Sequence, residues 1–183
     1  MKGTQLIGNT ESAQGTNTFK AVNPVDGKSL EPPFHEATGV EIDSAFELAA
    51  SAAPFMAAST GKDRSRLLNA IADALEEDAD VIKKRVGLET GYPQARLDGE
   101  FGRTVMQLRV FGRVAEDGNW VNARIDTALP DREPLPKPDL RRMLVPVGPV
   151  VIFGASNFPL AISVAGGDPA SALAAGCPVV TKG

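Results

Sequence analysis

Two groups of small and polar residues follow apolar runs in the last forty residues of the sequence. Residues 154–157 (GASN) close an apolar run that begins at Val147, and Lys182 follows the second run, 179–181. If both runs are parallel strands, their carboxyl ends meet at one edge of a sheet, where ligands bind in open α/β proteins. Gly154 and Ala155 allow close approach to the backbone. Asn157 offers amide donors and an acceptor, and Lys182 offers a cation, so the pattern predicts a site for an anionic nucleotide.

The same residues do not match the common phosphate-binding fingerprints. No G-x-G-x-x-G follows the first run, and the order Lys182-Gly183 does not fit the G-x-x-x-x-G-K-[ST] loop. A glycine after a strand is common, and asparagine often bonds its own turn. On the residues alone, a turn-forming role for Asn157 is therefore the favoured interpretation.

The other reactive side chains are interpreted as structural. Cys177 is the only cysteine, and it precedes a strand instead of following it, with no base placed to activate it. His35 is the only histidine and has no evident catalytic partners. One cysteine and one histidine give no basis for a zinc site, so no metal is predicted. The acidic run 76–78 is interpreted as a solvated helix end, and Arg141-Arg142 as surface charge.

Helices occupy most of the middle of the sequence. Residues 19–37 form two extended runs around Asp26-Gly27, which predicts a hairpin, and residues 39–113 have helical periodicity. Thr38 can cap the first helix, and Gly91 can end the third. The predicted core positions are Val40, Ile42, Ala45, Phe46 and Ala49 on the first helix, Leu67, Leu68, Ile71, Ala74 and Leu75 on the second, and Leu97, Phe101, Val105, Leu108 and Phe111 on the fourth.

Most of the elements predicted in the last third of the sequence are strands. Residues 120–128 and 140–145 are predicted strands joined by an exposed, proline-rich connection. The run 147–154 is typical of a strand buried on both faces, and a helix over 169–175 leads through Gly176 into a second strand. Strand, helix and strand together predict a βαβ unit.

Composition restricts the class of protein. The 183 residues are 43% hydrophobic and 23% charged, typical of a packed globular chain. The net charge of −4 gives no basic field for nucleic acid or anionic lipid. No apolar run is long enough to span a bilayer, and the first residues do not resemble a signal peptide. We therefore expect a cytoplasmic protein without nucleic-acid or membrane partners.

Two segments joined by the right spacing carry a family resemblance. Residues 145–160 (VPVGPVVIFGASNFPL) resemble the first sheet strand and following loop of the aldehyde dehydrogenase superfamily, and residues 170–182 (ASALAAGCPVVTK) resemble its next helix and strand. The likeness extends from about Phe19 onward. Where many members carry Pro-Trp before the asparagine, this sequence has Ala155-Ser156. This version resembles the branch that contains α-ketoglutaric semialdehyde (2,5-dioxovalerate) dehydrogenases and NADP-preferring fatty aldehyde dehydrogenases.

The resemblance implies a fold and a division of the chain. The expected fold is α/β, the N-terminal part of the aldehyde dehydrogenase fold with the start of a Rossmann-like parallel sheet. Its expected parts are an N-terminal arm and hairpin (1–38), a helical part of the cofactor domain (39–119), a strand arm for oligomerisation (120–145) and a first βαβ unit (146–183). The full-length protein is expected to be a homo-oligomer that binds NADP or NAD and a small-molecule aldehyde.

The resemblance also implies roles for individual residues. Asn157 would donate its side-chain amide to the oxyanion that forms when a thiolate attacks the aldehyde. Lys182 would contact the adenosine ribose or its 2′-phosphate, and the backbone contacts to the dinucleotide would come from Phe153, Gly154, Ala155 and Ser156. The family's cysteine nucleophile and glutamate base have no counterpart in these residues, so the fragment alone is expected to be inactive.

An alternative from another class of protein is a non-catalytic nucleotide-binding or assembly module derived from the same family. Such a module needs a closed core. Two parallel strands would leave an open sheet edge beside Val179-Val180, which natural domains usually cover.

Overall fold

Helices and short strands alternate along the chain, and the computed structural model describes every residue from 1 to 183. The helices are α1 (Gly39–Ala58), α2 (Gly61–Glu77), α3 (Ala79–Thr90), α4 (Gln94–Asp117) and α5 (Gly167–Ala175). The strands are β1 (Gln5–Ile7), β2 (Thr10–Ser12), β3 (Thr18–Phe19), β4 (Phe34–His35), β5 (Arg124–Asp126), β6 (Leu140–Arg142), β7 (Val150–Phe153) and β8 (Val179–Lys182). The strands pair two by two into four small sheets. The predicted α/β class is confirmed.

The N-terminal segment contains two antiparallel strand pairs, β1 with β2 and β3 with β4. Between β3 and β4 the chain reverses at Gly27, whose φ of +71° is a left-handed conformation that glycine adopts without strain. Val22 bridges Ser29 across this turn, which confirms the hairpin predicted around Asp26-Gly27. The first pair lies in polar residues for which the sequence predicts no strand.

Glu41 joins the N-terminal segment to α1. Its carboxylate accepts from the Thr38 amide at 2.8 Å, and the Thr38 hydroxyl accepts from the Glu41 amide at 3.3 Å, so Thr38 caps α1 as predicted. The same carboxylate accepts from the Ser12 hydroxyl at 2.5 Å and from the Gln14 amide at 3.1 Å. These bonds, with that from Ser12 the largest contribution, lower the pKa of Glu41 to about 2.

The hydrophobic core lies where α2, α4 and α5 meet. Leu68 of α2 is completely buried, and Ala170 and Ala174 let α5 approach the other two helices closely. Phe111 packs against the core from a partly buried position. The remaining predicted core residues of α4 are confirmed as buried: Leu97, Phe101, Val105 and Leu108.

The predicted core face of α1 is wrong. Ala49 is buried, but Val40 is 68% exposed, and Ile42 and Phe46 are also exposed. The main contacts of α1 are with β1 and β8 instead of the helical core, so most of its apolar stripe has no covering element among these residues. Leu67 and Ala74 of α2 are likewise exposed, because they lie beside the buried stripe and not on it.

The predicted strand pair of residues 120–145 is present but shorter. β5 and β6 pair antiparallel, while Trp120 lies in a 3-10 turn, Asn119–Val121, instead of a strand. The left-handed Asn122, with φ of +50°, separates this turn from β5. The proline-rich connection is exposed as predicted, and a bridge between Leu129 and Lys137 closes it.

The C-terminal segment is the predicted βαβ unit. β7 and β8 are parallel, with α5 between them in sequence, and α5 ends at Gly176. The expectation that β7 is buried on both faces is wrong: Ile152 is buried, but Val151 is 43% and Phe153 is 73% exposed. Since α5 is the main helix against β7, only one face of this strand is covered. No helix in the structure combines the length and apolar character needed to cross a membrane.

Candidate functional site

The residues singled out from the sequence lie at one edge of the β7–β8 pair. Phe153 and Lys182 are directly opposite each other in the parallel register, each at the end of its strand. Residues 154–157 continue from Phe153. The structure therefore brings the end of β7, the start of the following loop and Lys182 to the carboxyl edge, as parallel pairing requires.

The loop after β7 folds back on itself before α5 begins. The Ala155 amide donates to the Ile162 carbonyl at 2.8 Å, and the Gly167 amide donates to the Ala161 carbonyl at 3.0 Å. A Cβ at Gly154 would lie 2.7 Å from Ser163 Oγ, so a side chain there would require Ser163 to shift. The loop is thus a closed turn anchored to the first residues of α5.

The polar groups of this edge face solvent. Ser156, Asn157 and Lys182 are exposed, and the Asn157 side chain makes no hydrogen bond within the chain. The alternative interpretation, in which the Asn157 amide bonds its own turn, is therefore not supported. Lys182 makes no ion pair, and its ammonium lies 3.3 Å from the Gly183 carbonyl. An exposed aromatic ring at Phe153, accessible backbone and an unpaired cation are groups that suit an anionic dinucleotide.

Helix α4 supports the loop with two charged side chains. Glu100 is only 5% exposed, and its Oε1 accepts from the amides of Leu160 at 2.7 Å and Ala161 at 3.2 Å. One helical turn earlier, the Arg96 guanidinium donates to the Asn157 carbonyl at 2.9 Å. Neither residue is among the site residues predicted from the sequence. The sequence signal for Glu100 was a glutamate within the buried stripe of a mostly apolar helix face.

Positive charge surrounds the ring that follows Asn157. The guanidinium of Arg96 lies 3.7 Å from the ring centroid of Tyr92 and 5.6 Å from that of Phe158. The guanidinium of Arg103 lies 5.4 Å from the Phe158 centroid. Both arginines are exposed, and Arg103 has no ion-pair partner within the chain. The loop thus presents the Phe158 ring, one residue after Asn157, beside two cations.

The residues interpreted as structural occupy places that fit this interpretation. Cys177 is buried just before β8, and its amide bonds the Ala172 carbonyl, away from the carboxyl edge. His35 Nδ1 lies 2.8 Å from the Gly15 carbonyl, a local contact of the N-terminal segment. Glu76 is not only solvated, because it pairs with Arg109 across α2 and α4.

Comparison with known proteins is consistent with this arrangement. A sequence model of the aldehyde dehydrogenase family matches residues 10–183. The chain is 49% identical over its whole length to α-ketoglutaric semialdehyde dehydrogenase 2 of Azospirillum brasilense, covering 35% of that protein. It is 43% identical over 98% of its length to α-ketoglutaric semialdehyde dehydrogenase of Acinetobacter baylyi, covering 34% of that protein.

A solved structure has a similar fold. Aldehyde dehydrogenase from Brucella melitensis biovar abortus 2308 superposes with a TM-score of 0.82 at 26% identity, over 99% of this chain and 35% of that one. The chain thus spans about a third of the length of the relatives it matches. Because the family model covers nearly all of its residues, the chain belongs to the aldehyde dehydrogenase family.

Proposed function

We propose that the chain is the N-terminal cofactor-binding portion of an NAD(P)-dependent aldehyde dehydrogenase that oxidises an aldehyde to a carboxylic acid. The observation that carries this proposal is the shared carboxyl edge at which Phe153 and Lys182 lie opposite each other and lead into Asn157. The two relatives named for α-ketoglutaric semialdehyde make that compound (2,5-dioxovalerate) the first substrate to test.

The cofactor-binding residues in this proposal are those of the carboxyl edge. Lys182 contacts the adenosine ribose or its 2′-phosphate with its ammonium group, which is free of ion pairs. The backbone contacts come from Phe153, Gly154, Ala155 and Ser156, all at or just beyond the end of β7. NAD(P)⁺, when bound, supplies hydride acceptance. The chain's own part is to bind the dinucleotide and to fix its orientation at the sheet edge.

Asn157 is the catalytic group we assign to this chain. Its exposed side-chain amide has no partner within the chain and is free to donate to an oxyanion on the aldehyde carbon. The nucleophilic cysteine and the glutamate base of the reaction lie outside these 183 residues in our proposal, and the burial of Cys177 before β8 supports a structural role for that residue. The isolated chain is then inactive.

The substrate class in this proposal is supported by the positive charge beside Phe158, the residue after Asn157. Arg103 and Arg96 place two guanidinium groups against the Phe158 ring. An aldehyde that carries a carboxylate, such as α-ketoglutaric semialdehyde, would be attracted by these groups, whereas an uncharged fatty aldehyde would not. This charge favours the semialdehyde side of the branch over the fatty aldehyde side.

The division of the chain in this proposal follows the elements. Residues 1–38 form the N-terminal arm, 39–119 the helical part of the cofactor domain, 120–145 the oligomerisation arm and 146–183 the first βαβ unit. The arm assignment is supported by exposed apolar side chains on β5 and β6, Ile125 and Leu140, which an oligomer interface would cover.

The activity test uses the full protein in its natural length. Reduction of NADP⁺ and NAD⁺ is measured with α-ketoglutaric semialdehyde, glutarate semialdehyde and an uncharged aldehyde of similar length. We expect turnover, highest kcat/KM for the first substrate, and a loss of about a hundredfold or more in kcat for Asn157→Ala. Asn119→Ala, an exposed asparagine on the 3-10 turn, is the matched control.

Two results would contradict the proposal. One is the absence of turnover with every aldehyde although the protein is folded and binds nucleotide, which would favour the non-catalytic module. The other is turnover by the purified 183-residue chain, confirmed intact by mass, because the nucleophile would then lie within it.

A further inference from the structure

We propose that Glu100 and Arg96 of α4 are positioning residues that fix Asn157 by holding both ends of residues 157–161. The proposal rests on the proposed function, because it assigns Asn157 the catalytic role. Neither side chain touches the reacting atoms in this scheme. Their part is to set where the Asn157 backbone, and therefore its side-chain amide, lies.

Glu100 holds the far end of this segment. Its Oε1 accepts two backbone amide hydrogen bonds, from Leu160 at 2.7 Å and Ala161 at 3.2 Å. The carboxyl lies in a buried setting, with Ala161 itself fully buried, and its Oε2 has no partner within the chain. A buried carboxylate is unfavourable unless its hydrogen bonds compensate. The amides of Leu160 and Ala161 are the only hydrogen-bond donors to this carboxyl. The burial of Glu100 therefore requires the loop to stay where these amides can reach it.

Arg96 holds the near end. Its Nη2 donates to the Asn157 carbonyl at 2.9 Å, and its guanidinium is stacked on the Tyr92 ring at 3.7 Å from the centroid. Tyr92 lies two residues before α4 begins, and stacking on its ring restricts the guanidinium before it meets the loop. The donor that fixes the Asn157 carbonyl is therefore itself positioned by the Tyr92 ring.

The two contacts act on one short piece of backbone. Between them the Phe158 amide donates to the Ala155 carbonyl at 3.3 Å, and the Ile162 amide donates to the Phe158 carbonyl at 3.0 Å. The Asn157 side chain has no hydrogen bond of its own within the chain. Its location therefore depends on the backbone, and a displacement of about 1 Å at a catalytic group can reduce the rate about a hundredfold.

The two contacts have opposite hydrogen-bond polarity, which determines the substitutions that test each residue. A carboxylate accepts from amides at one end, and a guanidinium donates to a carbonyl at the other. Glutamine at position 100 keeps an acceptor oxygen and nearly the same shape, whereas alanine removes both. Replacing Glu100 by Gln should therefore preserve much of what replacement by Ala removes.

The experiment measures steady-state kinetics and amide hydrogen exchange of the naturally encoded protein for Glu100→Ala, Glu100→Gln and Arg96→Ala. We expect Glu100→Ala to lower kcat about ten- to a hundredfold with the KM for the dinucleotide within about twofold of wild type. Glu100→Gln should recover most of that loss, and the exchange of the Leu160 and Ala161 amides should accelerate in the alanine variant. Arg113→Ala, an exposed and unpaired arginine further along α4, is the control for Arg96→Ala.

A double-mutant cycle separates positioning from general stabilisation. In the Asn157→Ala background, adding Glu100→Ala should change kcat by less than about twofold, since a residue that acts through Asn157 has nothing left to position. A further drop of the same size as in wild type would overturn the proposal. So would unchanged exchange of the Leu160 and Ala161 amides in Glu100→Ala. If Glu100→Ala does not fold, equal kinetics of Arg96→Ala and Arg113→Ala would overturn it in the same way.

The failure of the proposed function gives a different result. If the wild-type protein oxidises no aldehyde, the function is wrong, whereas the hydrogen-exchange comparison still decides whether Glu100 holds the loop.

Discussion

The carboxylate of Glu41 accepts a hydrogen bond from the hydroxyl of Ser12 at 2.5 Å, across 29 residues of sequence. Ser12 ends β2, and Glu41 lies in the first turn of α1. One side chain therefore caps a helix and fastens the N-terminal strands to it. These bonds favour the ionised carboxylate, so the junction depends on pH.

The stability of the protein should fall in acid because of Glu41. Its folded-state pKa is about 2, below the ordinary value of 4.5. A lowered folded-state pKa means that its stabilising contribution is complete above about pH 4.5 and is lost as the pH falls towards 2. Glu41→Gln should be less stable than wild type at neutral pH, and the difference should shrink across this interval. Urea unfolding at a series of pH values measures the stability difference at neutral pH and its decrease in acid.

The control for this prediction is Glu47→Gln on the exposed side of the same helix. Its unfolding curves should follow those of wild type at every pH. A constant difference between Glu41→Gln and wild type from neutral pH to pH 2 would show that ionisation of Glu41 does not contribute.

Two adjacent leucines of α2 should differ sharply in their contribution to stability. Leu68 is completely buried between α2 and α4, whereas Leu67 is 40% exposed. Leu68→Ala should lower the free energy of unfolding by about 2–5 kcal/mol, because the cavity it leaves is enclosed, and Leu67→Ala by less than about 1 kcal/mol. Denaturant unfolding of the two variants under the same conditions measures both losses in free energy of unfolding. Equal losses would contradict the observed orientation of α2.

The apolar periodicity of α4 and α1 illustrates what sequence could predict about the fold. Both helices have residues such as Leu108 and Phe46 at helical spacing, and both were predicted to bury them. Periodicity is a local property that identifies the apolar face of a helix. Whether that face is covered depends on other elements: α2 and α5 cover Leu108, but Phe46 remains exposed.

The candidate site shows the same limit. The places of Lys182 and Phe153 at one edge could be predicted, because parallel strands bring their carboxyl ends together. The exposure of Phe153 could not, since it depends on which helices cover β7. The place of Glu100 in the buried stripe of α4 could have singled it out, but its partners could not be predicted, because Leu160 and Ala161 lie 60 and 61 residues away in sequence.

Lys182 should contribute to dinucleotide affinity through its charge. We expect Lys182→Ala to raise the dissociation constant of NADP⁺ about three- to tenfold, which corresponds to roughly 1 kcal/mol, and Lys182→Arg to raise it less. If Lys182 meets the 2′-phosphate, the effect on NAD⁺ is smaller than that on NADP⁺. Isothermal titration calorimetry measures both, with the exposed Lys62→Ala as control. Unchanged affinity for both nucleotides would remove Lys182 from the site.

Gly166 should tolerate no side chain, in contrast to Gly99. A Cβ at Gly166 would lie 2.3 Å from the Ala161 carbonyl oxygen, within the backbone that Glu100 holds, whereas a Cβ at Gly99 meets nothing within 4 Å. Gly166→Ala should reduce stability by about 1–3 kcal/mol. Gly99→Ala, in the second turn of α4, should increase it by about 0.5–1 kcal/mol. Thermal unfolding of the pair tests both signs, and a neutral Gly166→Ala would contradict the tight turn between the loop and α5.

Arg103 should affect substrate choice more than catalysis. Its guanidinium lies 5.4 Å from the Phe158 ring centroid and has no ion-pair partner, so it is available to a carboxylate beside that ring. We expect Arg103→Ala to raise the KM for α-ketoglutaric semialdehyde about three- to tenfold, with kcat within about twofold, because an attraction made equally in the ground and transition states changes binding alone. The KM for an uncharged aldehyde should stay the same. Arg113→Ala serves as the control on the same helix, and an equal rise in KM for charged and uncharged aldehydes would show that Arg103 supports the shape of the site and not its charge.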